Sequence, residues 1–362
     1  MKRSKALIGL LIVIIAIIFA GCSNDENVSS NGGLQKVKLA ISPFQDVYSI
    51  HVGVEKGFFE EEGIELDIQE TDWAGGNDLL VGGKVDLATA GDSDIVLQNS
   101  NGVDTTLAFP IFYFAGAALM FDGDKHDWKT YDEFLGETND DKEAMRLTLE
   151  QAKGKKVGLN TSVSEYTSFI SMLNHAGLDS DDYTIVDMSQ EDLPPALLSG
   201  SIDIMISGIP QRLAVQKEGY DTLIDQTTLP HTISHNGFAA RRDWIEKNPE
   251  LAAKLLKAFF KTLNYIEQNP DDSFPIIVEQ MKNVGTEISV DQLNNVWNKM
   301  EFFPSGVEFY EKEVLHPDGD FYWKDRFQAV IDIMEAEGKI EKGVVTDLES
   351  LHYTVKLVKE IE

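Results

Sequence analysis

Leu80-Val-Gly-Gly-Lys-Val-Asp-Leu-Ala-Thr-Ala-Gly91 returns, 117 positions later, as Leu197-Leu-Ser-Gly-Ser-Ile-Asp-Ile-Met-Ile-Ser-Gly208. Each copy runs from a helix end through a glycine turn into a short apolar strand and stops at glycine. A second pair stands upstream: Val37-Lys-Leu-Ala-Ile-Ser42 and Lys156-Val-Gly-Leu-Asn-Thr-Ser162 are each an apolar run ending in a polar turn. Two such α/β units in one chain predict two lobes facing each other across a cleft, a natural place to close on a small molecule. Two copies are too few for a solenoid, which needs at least three.

The pattern between these landmarks fills in the lobes. In the first unit, strands are predicted at 37–42, 64–70 and 85–90, with helices at 46–56 and 75–81. In the second, strands fall at 156–160, 184–187 and 202–207, with helices at 164–175 and 191–198. Strands alternating with helices imply a parallel sheet. The stretch 109–121 is too apolar for a surface loop and reads as one buried strand crossing between lobes, with 232–240 as the return. Two crossings make a two-strand hinge. Lobe 1 is therefore expected to hold 37–118 and 236–362, and lobe 2 to hold 119–235. Residues 122–152 read as an acidic surface insertion with a helix near 142–151. The C-terminal third is helical by periodicity, at 249–268, 272–281, 290–299 and 322–337. These extra helices are expected to pack on lobe 1, to which the chain has returned.

Residues 1–21 carry an export signal. Lys2, Arg3 and Lys5 precede an apolar run from Leu7 to Phe19, and Ala20-Gly21 places small residues before Cys22. That segment resembles a bacterial lipobox, which implies a lipid on Cys22. Cys22 is the only cysteine of the 362 residues, so neither an internal disulfide nor a cysteine metal site is available. Residues 22–36 read as a flexible tether. The polar stretch 23–35 would span roughly 20 Å as a coil. The expected location is extracytoplasmic, anchored to the cell membrane by lipid. The formal net charge is −30. Loss of residues 1–21, which hold three cations and no acid, would take it to −33. Nucleic acid is excluded as a partner, because phosphate binding needs clustered positive charge.

Lys56-Gly-Phe-Phe-Glu-Glu-Glu-Gly-Ile-Glu-Leu-Asp67, Gly83-Lys-Val-Asp-Leu-Ala88, Lys153-Gly-Lys-Lys-Val-Gly158 and Gly237-Phe-Ala-Ala240, the last followed by the Asn248-Pro249 helix start, carry a family likeness. From about residue 37 to about 340 the chain resembles the bacterial solute-binding lipoproteins of nitrate, sulfonate, taurine and thiamine-pyrimidine importers. The resemblance implies an α/β, two-lobed, type II periplasmic-binding-protein fold. It also implies a monomer that captures a small solute and hands it to the permease and ATPase subunits of an ABC importer, with no cofactor. Enzymes on this fold, fungal pyrimidine synthases and a desulfinase, depend on cysteines that the lobes here lack. No Gly-x-Ser-x-Gly elbow is present. A sensor lipoprotein that binds without transport has the same sequence features as an importer subunit.

Ligands of open α/β sheets sit beyond the carboxyl ends of the strands. That rule selects Ser42, Phe44 and Gln45, Trp73, and Ser93 in the first unit. In the second it selects Thr161 and Ser162, Tyr166, Met188, Pro210 and Arg212. Most of these turns lead into helix N-termini, whose unpaired N–H groups suit an anion. Ser and Thr at such places cap helices more often than they meet ligands, and the two roles are compatible. The aromatics tilt the choice toward a pyrimidine-like or sulfonate solute over nitrate. Tyr113 and Phe114 read as buried at the crossing. His231 and His235 are four apart, but no third ligand stands in register and the segment reads as extended, so no metal is expected.

Overall fold

The twinned sequence segments become equivalent strands of two separate sheets. The computed structural model describes residues 33–161, 163–228, 233–359 and 361. The expected export signal, Cys22, most of the expected tether, Ser162 and residues 229–232, among them His231, lie outside the described residues. In chain order the strands are β1 (Gln35–Ile41), β2 (Ile64–Glu70), β3 (Leu87–Gly91), β4 (Thr105–Phe114), β5 (Ala118–Phe121), β6 (Lys156–Leu159), β7 (Thr184–Asp187), β8 (Ile204–Ser207), β9 (Asp221–Asp225), β10 (Ser234–Arg241) and β11 (Glu301–Phe302). They form one sheet in the order β11-β4-β10-β3-β1-β2 and another in the order β7-β6-β8-β5-β9.

The duplication is visible in the pairing. β1 runs parallel to β3 with Leu39 opposite Leu87, and β6 runs parallel to β8 with Val157 opposite Ile204. β10 adds antiparallel to β3, and β5 adds antiparallel to β8. The parallel core of each sheet follows from helical crossovers. The antiparallel strands are those that bring the chain from one sheet to the other.

The helices used below are α1 (Ile50–Glu55), α2 (Trp73–Val81), α3 (Asp92–Ser100), α4 (Ser164–Ala176), α5 (Gln211–Lys217), α6 (Pro249–Gln268), α7 (Pro270–Asn283) and α8 (Trp323–Ala336). Helix α2 starts two residues ahead of the sequence expectation because the Asp72 carboxylate accepts the Gly75 N–H at 2.7 Å and caps it there.

Three expectations change in the structure. The apolar stretch 109–121 is two strands rather than one, split at Ala115-Gly116-Ala117, with β4 in the first sheet and β5 in the second. The break lets the Phe114 ring lie against Gly116, where a Cβ would come within 2.7 Å of it. The 122–152 segment is less superficial than its acidity implied. It forms helices Tyr131–Thr138 and Asp141–Glu150, and Tyr131, Ala144, Met145 and Leu149 are buried in the core of the second sheet. The C-terminal helices do not all stay with the first sheet. α6 packs on α1 and β4, and α7 on α1. α8 packs on both α3 and α4, and its Ile333 joins the second sheet's core. Its buried residues, from Trp323 and Phe327 to Ile333 and Met334, cover too wide an arc to be satisfied by one partner.

The crossings are fastened to each other. The Gln226 N–H donates to the Ala117 carbonyl at 2.9 Å, and the Ala117 N–H donates to the Gln226 side-chain oxygen at 3.1 Å. Beside them, β10 shifts register against β4 at Gly237. A Cβ there would lie 2.1 Å from the Phe109 carbonyl oxygen, and backbone cannot step aside as a side chain can. Gly237→Ala is therefore expected to cost about 3 kcal/mol or more, the upper range for overpacking. Urea unfolding measures it, and an unchanged midpoint would show that this close approach is not required.

Candidate functional site

The ends of β1, β6 and β8 converge on one half-open cavity, whose atom-free space, open solvent included, is about 440 Å³. β1 delivers Phe44 and Asp46 just past its end, and β8 delivers Gly208 and Ile209. β6 leads through Val163 into Ser164 and Glu165 on the first turn of α4. Trp73 at the start of α2 and Asn236 on β10 complete the first-sheet side, with Gln190 and Gln211 on the other. The cavity thus lies between the two sheets, at the carboxyl ends of their parallel strands, where such folds place ligands.

Its walls are aromatic. Phe112 and Phe114 project from the same face of β4, two residues apart, as strand geometry requires. Tyr113 points the other way and stacks on Phe321 at 4.6 Å. Phe44 meets Trp73 edge to face at 5.8 Å. The Trp73 indole donates to the Asp94 carboxylate at 2.8 Å, which fixes the ring's orientation. Gly208 lets the Phe114 ring reach the cavity, since a Cβ there would sit 2.2 Å from it.

Asp46 and Glu165 bring carboxyl groups to the wall, beside Ser164 and the amides of Gln190, Gln211 and Asn236. Asp46 accepts the Val47 N–H at 2.6 Å. Glu165 accepts from the Ser164 hydroxyl at 3.3 Å and from the Gln190 amide at 3.1 Å, and Gln190 in turn accepts from Ser207. Behind Asp46, the Gln45 amide donates to Glu301, which is fully buried. Burial raises the pKa of Asp46, Glu165 and Glu301, and repulsion adds to it, from Glu165 on Asp46 and from Asp46 on Glu301. Burial pushes Asp94 up to about 7, against the hydrogen bonds it accepts from the Gly91 N–H and Trp73. Among the described residues, no Lys, Arg or His lines the cavity. No group of three or more acidic, His or Cys side chains among them is arranged to hold a metal ion.

Of the residues selected from sequence, Phe44 and Trp73 line the cavity. Ser42 and Gln45 are buried beside it, and the Ser93 hydroxyl is turned to Asp92 at 3.2 Å. The Thr161 N–H is held by Asp187 at 2.9 Å, and Met188 packs on a small core cluster of the second sheet. Tyr166 donates to Glu337 at 3.1 Å instead of facing the cavity. Pro210 lines a different groove, between α5 and the segment following α7. Arg212 is buried, paired with Asp225 and donating to the Gly116 carbonyl at 3.2 Å, so it pins the crossing and lies outside the cavity wall. Sequence reasoning missed Asp46, Glu165, Gln190, Gln211, Phe112 and Asn236. The available signals were an acid in the turn after β1, another at the start of α4, and the two-residue spacing of Phe112 and Phe114.

Asp94 carries a pH prediction. Its folded-state pKa near 7 exceeds the unfolded value of about 3.9, so the folded form holds the extra proton between them. Its stabilising contribution is full below the unfolded value and is lost as pH rises through 7. Asp46, Glu165 and Glu301 act in the same direction. His235 and His352, held well below their usual range chiefly by burial, act in the opposite direction, mainly below pH 6.5. Asp94→Asn should lose less Tm, or gain more, than the parent between pH 5 and pH 7. Equal slopes for variant and parent would contradict it.

Comparison with known proteins agrees with this architecture. YtlA of Bacillus subtilis (strain 168), named as a binding protein, is 23% identical, covering 95% of this chain and 93% of its own. The formylaminopyrimidine-binding protein of Halalkalibacterium halodurans is 20% identical, covering 93% and 96%. Among solved structures, the periplasmic nitrate-binding protein NrtA of Synechocystis PCC 6803 aligns with a TM-score of 0.66 at 14% identity, over 91% of this chain and 88% of that one. The fold is that of the periplasmic binding proteins. Residues 30–275, more than half of the chain, match the family described as NMT1-like, and the chain belongs to that family.

Proposed function

We propose that this chain is the extracytoplasmic solute-binding component of an ABC importer, capturing a small planar solute between two lobes and presenting it to a membrane permease. The observation that carries this reading is the aromatic-walled cavity at the strand ends of two sheets. Lobe 1 would comprise 37–118 and 236–362, and lobe 2 would comprise 119–235. The membership of the strands in the two sheets supports that division, with α8 reaching across it. Among the solutes named for the relatives, formylaminopyrimidine suits the Phe44, Trp73, Phe112 and Phe114 walls better than nitrate does. A flat ring gains stacking contact that a small inorganic ion cannot use. The role is binding without catalysis, and the export signal and Cys22 would hold the body at the outer face of the cell membrane.

A thermal-shift screen across aminopyrimidines, aryl and alkyl sulfonates, taurine and nitrate tests this. A ring-bearing solute should raise Tm, and Trp73→Ala should weaken its binding about tenfold, the loss of roughly 1.4 kcal/mol of stacking. A screen without any stabiliser would sink the capture role. The anchoring is tested by Cys22→Ala, which should move the protein from the membrane fraction into the soluble one. Retention on washed membranes would remove the lipid anchor from the account.

A further inference from the structure

The charge of the solute is written in the cavity wall. Asp46 stands on the first-sheet side and Glu165 on the second, and both line the cavity while only 3% and 8% exposed. Their partners are the Val47 N–H for Asp46, and the Ser164 hydroxyl and Gln190 amide for Glu165. The two buried Arg or Lys side chains among the described residues are committed elsewhere, Arg212 to Asp225 and Arg326 to Asp92. A buried carboxylate without a counter-charge is costly, and the cost is relieved by an incoming cation.

Independent observations point the same way. The Gln211 side-chain oxygen, in the cavity wall, is buried with no hydrogen-bond partner. One oxygen of Glu301 and that of the Gln45 amide, in the layer behind Asp46, are likewise buried and unpartnered. The Gln211 oxygen is an acceptor that awaits a donor from the cavity. The aromatic faces of Trp73 and the phenylalanines favour positive charge. An anion, by contrast, would seek the N–H groups of helix N-termini. Here those ends hold acids of their own: Asp46 takes the Val47 N–H, Asp94 takes the Gly91 N–H, and Glu165 lies in the first turn of α4.

We infer that the site takes an organic cation bearing N–H donors, an amidinium, an ammonium or a protonated amino-heterocycle, with Asp46 and Glu165 as its counter-ions from opposite sides. Without a cation between them the two carboxylates repel across the cavity. With one they are bridged, so the solute's charge itself draws the two sides together. This rests on the capture role proposed above.

Calorimetric titration of the full chain at pH 8 with benzamidinium, benzamide and benzoate separates charge from shape, because the three are near-isosteric. Benzamidinium should bind at least tenfold more tightly than benzamide, and benzoate should give no binding heat. In Glu165→Gln the advantage of benzamidinium over benzamide should fall below threefold. Should that variant fail to fold, the three titrations of the parent protein decide alone. Benzoate or benzamide binding as tightly as benzamidinium overturns the charge assignment and leaves planar-solute capture standing. No binding by any of the three at millimolar concentration removes both.

Discussion

Asp92 and Arg326 form the junction on which the arrangement depends. The guanidinium meets the carboxylate through two bonds, Nε to Oδ2 at 2.7 Å and Nη2 to Oδ1 at 3.1 Å, with both side chains almost wholly out of water. The same carboxylate accepts the His235 N–H at 2.8 Å and the Ser93 hydroxyl at 3.2 Å, and the guanidinium reaches the Thr167 hydroxyl at 3.4 Å. One ion pair therefore gathers the end of β3, the start of β10, helix α8, and helix α4 of the other sheet. Loss of one member of such a pair costs about 3–5 kcal/mol, because the other is left buried and uncompensated. The positive charge of Arg326, added to burial, also keeps the neighbouring His235 neutral.

The contrast with the acids that lack a cation explains how an acidic chain can show such selective local electrostatics. Asp92 lies a short way from Asp94 in sequence, yet its charge is met by arginine, whereas Asp94 receives only an indole and a backbone N–H. The second-sheet arginine, Arg212, is likewise spent on Asp225 at the crossing. The cations near the junction thus hold the frame, and the carboxylates left facing the cavity are those with neutral partners. The net charge of −30 has no part in this. What matters is which acids are paired inside.

Much of the architecture was legible because it is repetitive. The twin segments ending at Gly91 and Gly208 announce two sheets, and the rule on strand ends locates the cavity between them. Phe44 and Trp73 were found that way. The remaining wall residues were hidden for a specific reason: an acid at a helix start has the same sequence appearance whether its carboxylate caps the backbone or faces a cavity. Asp46 does the first while lining the second. Arg212 misled for the converse reason, since only the fold shows that its partner, Asp225, comes alongside from β9. The reach of α8 to both sheets was equally invisible, because periodicity tells which face of a helix is apolar and not what covers it.

That reach changes how the two sides can move. Two crossing segments alone would make a simple hinge, but α8 is a third connection, and any separation of the sheets must shear it against one of them. The strengths of its polar contacts set which side it follows. Toward the first sheet it holds the buried Asp92–Arg326 pair. Toward the second its contacts include the Arg326–Thr167 bond, with Glu337 just past its end accepting from Tyr166 at 3.1 Å and Ser180 at 3.3 Å. Bonds of the latter kind contribute about 1 kcal/mol each and are readily replaced by water. Opening of the proposed cleft with α8 held to the first sheet by that pair would draw Ile333 out of the second sheet's core. The apolar area so exposed would oppose opening.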